Sequence, residues 1–172
     1  MDVQTGDAGR MRLEAALRRL GDAVLRAAHP AVFTVEEAAA HPHGLPGAET
    51  KNLLLRDARA GLFLVTLRAD RRADLKALAA SLGAKRFSFA SAETMAAVLG
   101  VTPGAVTPLA LLNPAAVAVT FALDRALARA ARIVCHPLVN TESVSLPTAD
   151  LMRLLAEAGV TVRLVDPAAS GA

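Results

Sequence analysis

The chain has no tryptophan and no tyrosine, and aromatic residues make up only 3% of it. Its core must therefore be built from Leu, Val, Ala and a few Phe, and so few rings argue against a protein that exists to hold single-stranded RNA by stacking. There is one cysteine, Cys135. No disulfide can form within the chain, which fits a reducing, cytoplasmic setting. No uncharged apolar run approaches ~18 residues, so no membrane span is expected. The first residues lack a basic start followed by an apolar block, so no signal peptide is expected either. Neither sign of charge dominates: 19 Lys and Arg against 16 Asp and Glu leave a formal +3. That excess permits a phosphate-bearing partner without demanding one. Much of it is arginine, such as Arg10, Arg12, Arg18 and Arg19, that reads as solvated helix surface. No Walker loop, no Gly-x-Gly-x-x-Gly after a strand and no Gly-x-Ser-x-Gly elbow is present.

What is present fits one domain. The 172 residues suffice for one compact core and are too few for two comfortable ones. Residues 1–9 and 168–172 are small and polar and read as tails around a domain over 10–167. Met11, Leu13, Leu17 and Leu20 recur at helical spacing, with Gly21 as a stop. Thr34-x-x-Glu37 is a capping box that opens a short helix, with Phe33 placed either to staple its entry or to wall a pocket. Leu62 to Leu67 follows the polar turn 56–61, so it pairs with the preceding strand as an antiparallel hairpin. Further helices are expected over 70–82, over 92–99 behind Ser91, and after a cap at Thr148. Short strands are expected at 86–89, 117–123, 132–135, 143–146 and 161–165. Strict βαβ alternation is missing, which predicts an α+β fold with a mixed, largely antiparallel sheet and surrounding helices.

The most informative stretch is Glu49-Thr50-Lys51-Asn52-Leu53-Leu54-Leu55. It starts polar and ends apolar. The stem of Lys51 must lie at the edge of a core while its ammonium faces water or an anion; a plain edge-strand lysine that blocks aggregation is the alternative. Cys135 and His136 are neighbours on one strand and point to opposite faces, so they cannot easily act as nucleophile and base. Cys135 reads as a small core residue. His41, His43 and His136 match no zinc spacing, and no metal or cofactor is expected. The loop Gly104-Ala105-Val106-Thr107-Pro108 can leave backbone N–H groups fixed and free to polarise an ester carbonyl, although most such loops are only turns.

Thr50-Lys51-Asn52-Leu53, Gly104-x-x-x-Pro108 and His136-Pro137-Leu138-Val139-Asn140-Thr141, in that order, resemble the bacterial prolyl-tRNA editing family. This is the YbaK-like deacylase group related to the insertion domain of bacterial prolyl-tRNA synthetase. The similarity is greatest to the free-standing alanyl-tRNA(Pro) deacylases. His29-Pro30-Ala31-Val32-Phe33-Thr34-Val35-Glu36-Glu37-Ala38 and Leu75-Lys76-Ala77-Leu78 look like theirs too, so the resemblance spans about residues 13–166.

The resemblance implies a hydrolase that clears alanine mischarged onto tRNA(Pro). Lys51 would be the essential lysine near the 3′-terminal adenosine, and Gly104 would act at the reacting ester. Asn52, Ala105, Val106, Thr107, Pro108 and His136 would hold the acceptor end. Water would attack, assisted by the substrate's own 2′-hydroxyl, with no side-chain nucleophile. The implied partners are the aminoacylated tRNA(Pro) acceptor end and, for tRNA selection, prolyl-tRNA synthetase or elongation factor; neither DNA nor membrane is implied. A small pocket would exclude proline by size and leak glycine and serine esters. The segment Pro114-Ala115-Ala116 stands where a polar residue is expected beside the pocket, which bears on amino-acid preference. A Cys-tRNA(Pro) deacylase of the same fold and a non-catalytic tRNA-binding module are the alternatives.

Overall fold

The computed structural model describes residues 3–167. Along these residues run α1 (Val3–Leu20), β1 (Leu25–Ala28), α2 (Val35–Ala40), β2 (Ala48–Asp57), β3 (Leu62–Arg68), α3 (Leu75–Leu82), β4 (Phe87–Phe89) and α4 (Ala92–Leu99). There follow β5 (Val119–Asp124), α5 (Arg125–Ala128), β6 (Arg132–Cys135), β7 (Glu142–Pro147), α6 (Thr148–Glu157) and β8 (Val162–Val165). The strands form one sheet in the order β1-β7-β6-β2-β3-β5-β8, with β4 also on β2. Four of its pairings are antiparallel and three parallel. This is the expected α+β architecture.

The sheet is buried on both faces. Leu54, Leu64, Phe121 and Leu123 pack with Leu13 and Leu17 of α1 and with Leu151 and Leu155 of α6. Leu55, Phe63, Val65 and Leu67 pack with Leu78, Ala79 and Leu82 of α3. β3 thus reads as a near-continuous apolar run, as a strand covered on both faces must. The β2–β3 hairpin closes at Asp57 N–H to Gly61 O, 2.8 Å.

Several boundaries differ from the sequence expectation. α1 begins at Val3 rather than after a tail over 1–9, so Asp7 and Ala8 continue the helix and Gly9 does not end it. Residues 1–2 of that tail, and the tail at 168–172, lie outside the described residues. α3 starts at Leu75 rather than Asp70. Asp74 caps it by accepting the N–H groups of Lys76 and Ala77 at 3.0 Å, while Asp70 is taken by Arg68. Thr148 does not cap α6: it is the first helical residue, behind Pro147. Thr34 does cap α2, accepting the Glu37 N–H at 3.1 Å. Glu37 returns its carboxylate to the Phe33 N–H at 2.7 Å. The Phe33 ring, however, stays 65% exposed and lines a cleft instead of stapling the helix.

Candidate active site

The cleft follows from how β2 changes partners. One edge of β2 pairs with β3 over seven residues, from Thr50 opposite Arg68 to Arg56 opposite Leu62. The other edge pairs with β6 only at Ala48 and Glu49, and with β4 only from Leu55 to Asp57. Between them the sheet forks. The bond from Ala69 N–H to Glu49 O turns odd-numbered backbone groups of β2 toward β3, and that from Ala90 N–H to Leu54 O turns even-numbered ones toward the fork. The N–H and C=O of Asn52 therefore face the gap. A cleft of about 940 Å³ lies here, walled by α2, the 42–47 loop, the fork, Phe89, Met95 and the 103–106 loop.

Lys51, half-buried, lines this cleft. Among the described residues it has no ion pair. Asn52 is held by a directed chain. The Thr50 hydroxyl donates to Val134 O at 2.8 Å, so its oxygen is left to accept from Asn52 Nδ2 at 3.4 Å. That sets Oδ1 toward Thr66, whose hydroxyl donates to it at 2.7 Å. The second Nδ2 hydrogen remains for a ligand.

Gly104 lines the same cleft in a conformation that suits glycine, φ +89°. A Cβ there would stand 3.0 Å from Phe33 Cδ1 and 3.2 Å from Asn140 Nδ2. Those two neighbours are fixed by one segment. His29 N–H donates to Thr141 O at 3.0 Å and Val32 N–H to Asn140 O at 3.2 Å, while Asn140 Nδ2 returns to Val32 O at 3.2 Å. The turn between β6 and β7 places Leu138 at φ +69°, a strained state for a branched residue, and its packing on the core holds it there.

The rest of the loop lies deeper. Val106 reaches the cleft, whereas Ala105, Thr107 and Pro108 are buried and do not line it. Ala105 N–H is spent on Thr102 O at 3.0 Å. Thr107 Oγ1 caps the 3-10 turn Pro108–Leu112 through Leu109 N–H at 3.3 Å. Gly104, Val106 and Thr107 donate no backbone hydrogen bond among the described residues; of the three, Gly104 and Val106 line the cleft, while Thr107 is buried. The 3-10 turn Pro114–Ala116 packs against α4 and does not line the cleft.

His136 lines the cleft through a half-buried ring whose Nδ1 bonds Glu142 O at 2.9 Å. Burial pushes its pKa down against that bond, so the neutral ring presents Nε2 as an acceptor. Its ring centroid is 5.7 Å from that of His29, which is 6.2 Å from that of His43. Both nitrogens of His29 are committed, to Pro30 O and Ser143 Oγ. Both of His43 are committed as well, to Leu45 N–H and Glu49. His41 is exposed and lines a smaller cavity with His29, His43 and His136. Cys135 is buried, and burial pushes its thiol up to about 12, so it offers no thiolate.

The structure therefore brings Lys51, Asn52, Gly104, Val106 and His136 to one cleft. Glu49 joins them unassigned by sequence reading, Phe33 lines the cleft as the pocket wall it was weighed to be, and Asn140 stands behind Gly104 without lining the cleft. Glu49 and Asn140 lay inside motifs already singled out.

The cleft thus joins a forked mixed sheet, a lysine without an ion pair among the described residues and a glycine loop, and the buried Cys135 offers it no thiolate. The same fold occurs in the crystal structure of a candidate trans-editing enzyme for prolyl tRNA synthetase (TM-score 0.64, 21% identity, 92% of this chain and 95% of that one). The model of the aminoacyl-tRNA editing domain matches residues 29–154, and the chain belongs to that family. It is 41% identical over 150 residues to prolyl-tRNA synthetase associated domain-containing protein 1 of Danio rerio, covering 86% of this chain and 82% of the relative. It is 32% identical over 139 residues to the prolyl-tRNA editing protein ProX of Acetoanaerobium sticklandii, covering 80% and 85%.

Proposed function

We propose that this protein is a trans-acting deacylase that hydrolyses alanine esterified to tRNA(Pro). The observation that carries the reading is the pairing of an uncommitted Lys51 at the sheet fork with the open amides of Gly104 and Val106 in one cleft. An aminoacyl ester is already activated, so positioning and fixed dipoles suffice to accelerate attack by water. Lys51 holds the 3′-terminal nucleotide as a point charge. The amides receive the carbonyl oxygen as it gains charge, and the substrate's own 2′-hydroxyl assists the water. Asn52 and His136 complete the grip on the acceptor end. Leu54, Phe89, Met95 and Val106 give the cleft apolar lining suited to a small side chain. Selection of tRNA(Pro) is shared with prolyl-tRNA synthetase or elongation factor.

Release of labelled alanine from Ala-tRNA(Pro), with Pro-tRNA(Pro) and Ala-tRNA(Ala) as controls, tests this. Loss from the first alone is expected, and Lys51→Ala is expected to slow it by about 100-fold or more while the fold survives. Wild-type turnover in Lys51→Ala sinks the assignment of the lysine. Faster loss of cysteine from Cys-tRNA(Pro) would replace alanine as the substrate, and binding without any turnover would make the domain a tRNA-binding module.

A further inference from the structure

Glu49 precedes Lys51 by two residues on β2, so both side chains leave one face of the strand, and both line the cleft. The carboxylate is oriented by His43. Nδ1 of that ring accepts the Leu45 N–H at 3.1 Å, which puts the proton of the neutral imidazole on Nε2. Nε2 lies 3.0 Å from Glu49 Oε1. Oε2 has no hydrogen-bond partner among the described residues, and the side chain is 51% exposed. Crowding by protein pushes the Glu49 pKa up, opposed by His43 and His29. This carboxylate has no Arg or Lys salt bridge among the described residues. The cleft's other carboxylate, Asp70, is already gripped by Arg68 at 3.0 and 2.7 Å.

An aminoacyl ester carries an α-ammonium two bonds from the carbonyl that is attacked. The Lys51 charge by itself would repel it. We infer that Glu49, held by His43, is the α-ammonium subsite of the cleft, so that esters of free α-amino acids are taken and esters whose α-nitrogen is acylated are refused. The inference rests on the reading of the cleft as an aminoacyl-ester site. It supplies the specificity that reading lacks: peptidyl esters, whose nitrogen is an amide, are spared.

The test uses 3′-alanylamido-3′-deoxyadenosine, which cannot be hydrolysed as an ester, and its N-acetyl counterpart. Binding of each is measured with wild type, Glu49→Gln and Glu49→Asp. Glu49→Gln keeps an acceptor for His43 Nε2–H and removes only the charge. Wild type is expected to bind the free amine about 10- to 100-fold more tightly, the range of a hydrogen bond to a charged group. In Glu49→Gln the preference falls to about threefold or less, and Glu49→Asp restores part of it. Equal binding of both analogues by wild type, binding of neither, or an undiminished preference in Glu49→Gln overturns the inference. Hydrolysis of Ala-tRNA(Pro) and N-acetyl-Ala-tRNA(Pro) is read in parallel. An intact amine preference in binding without hydrolysis supports the subsite and overturns the deacylase reading. Hydrolysis without amine preference supports the deacylase and overturns the subsite.

Discussion

Gly104 shows how little a single position can change without cost. Its φ of +89° disfavours any L side chain, and an added Cβ would press on the Phe33 ring and the Asn140 amide. Gly104→Ala is expected to lower stability by about 1–2 kcal/mol, the cost of a left-handed backbone for a residue with a Cβ. Activity should fall further, because the loop amides move with the strain. Thermal melts and the alanine-release assay separate the two losses; wild-type values in both would show that Phe33 swings aside freely. The motif Gly-x-x-x-Pro was legible in the sequence, but the division of labour within it was not. Ala105, Thr107 and Pro108 look as available as Gly104 on paper, and only packing reveals that they are the footing beneath it.

At the scale of elements, the capping signals were read well where a local side-chain bond makes the cap. Thr34 and Ser91 each accept a backbone N–H at a helix start. Thr148 failed because the chain enters α6 directly from β7, with Pro147 in the cap position. Its hydroxyl is buried and has no partner among the described residues. Thr148→Val keeps the shape and removes that unpaired group, so it is expected to stabilise the protein by about 1 kcal/mol. The melting temperature should rise by about 2–4 °C; a fall would show that the hydroxyl is hydrogen-bonded after all. The start of α3 was misplaced for a related reason. Asp70 and Asp74 are both plausible caps by sequence, and the tertiary pairing of Arg68 with Asp70 decides between them.

Over the whole molecule, a formal +3 is weak, so affinity for tRNA must be carried by a few placed charges rather than by a broad field. Binding to tRNA(Pro) is expected to weaken as salt rises. Lys51→Ala should make the slope of log K against log salt shallower by about 0.7, the value for one contact to single-stranded phosphate. An unchanged slope would place Lys51 away from the backbone. The scarcity of aromatics also looks different in three dimensions: Phe33 and Phe89 are both exposed and both line the cleft.

The sequence by itself determined the mixed α+β architecture, the strand that bears Lys51, the glycine loop, the burial of Cys135 and the family, because periodicity, turn chemistry and ordered motifs are local properties of the chain. Only the tertiary structure decided that the sheet forks at β2. It alone set the direction of the Asn52 amide through Thr50, Thr66 and Val134, and put His43 behind Glu49. Those facts depend on strand partners as far apart as Ala48 and Ile133, and no local pattern in the sequence records which edge of a strand is left unpaired.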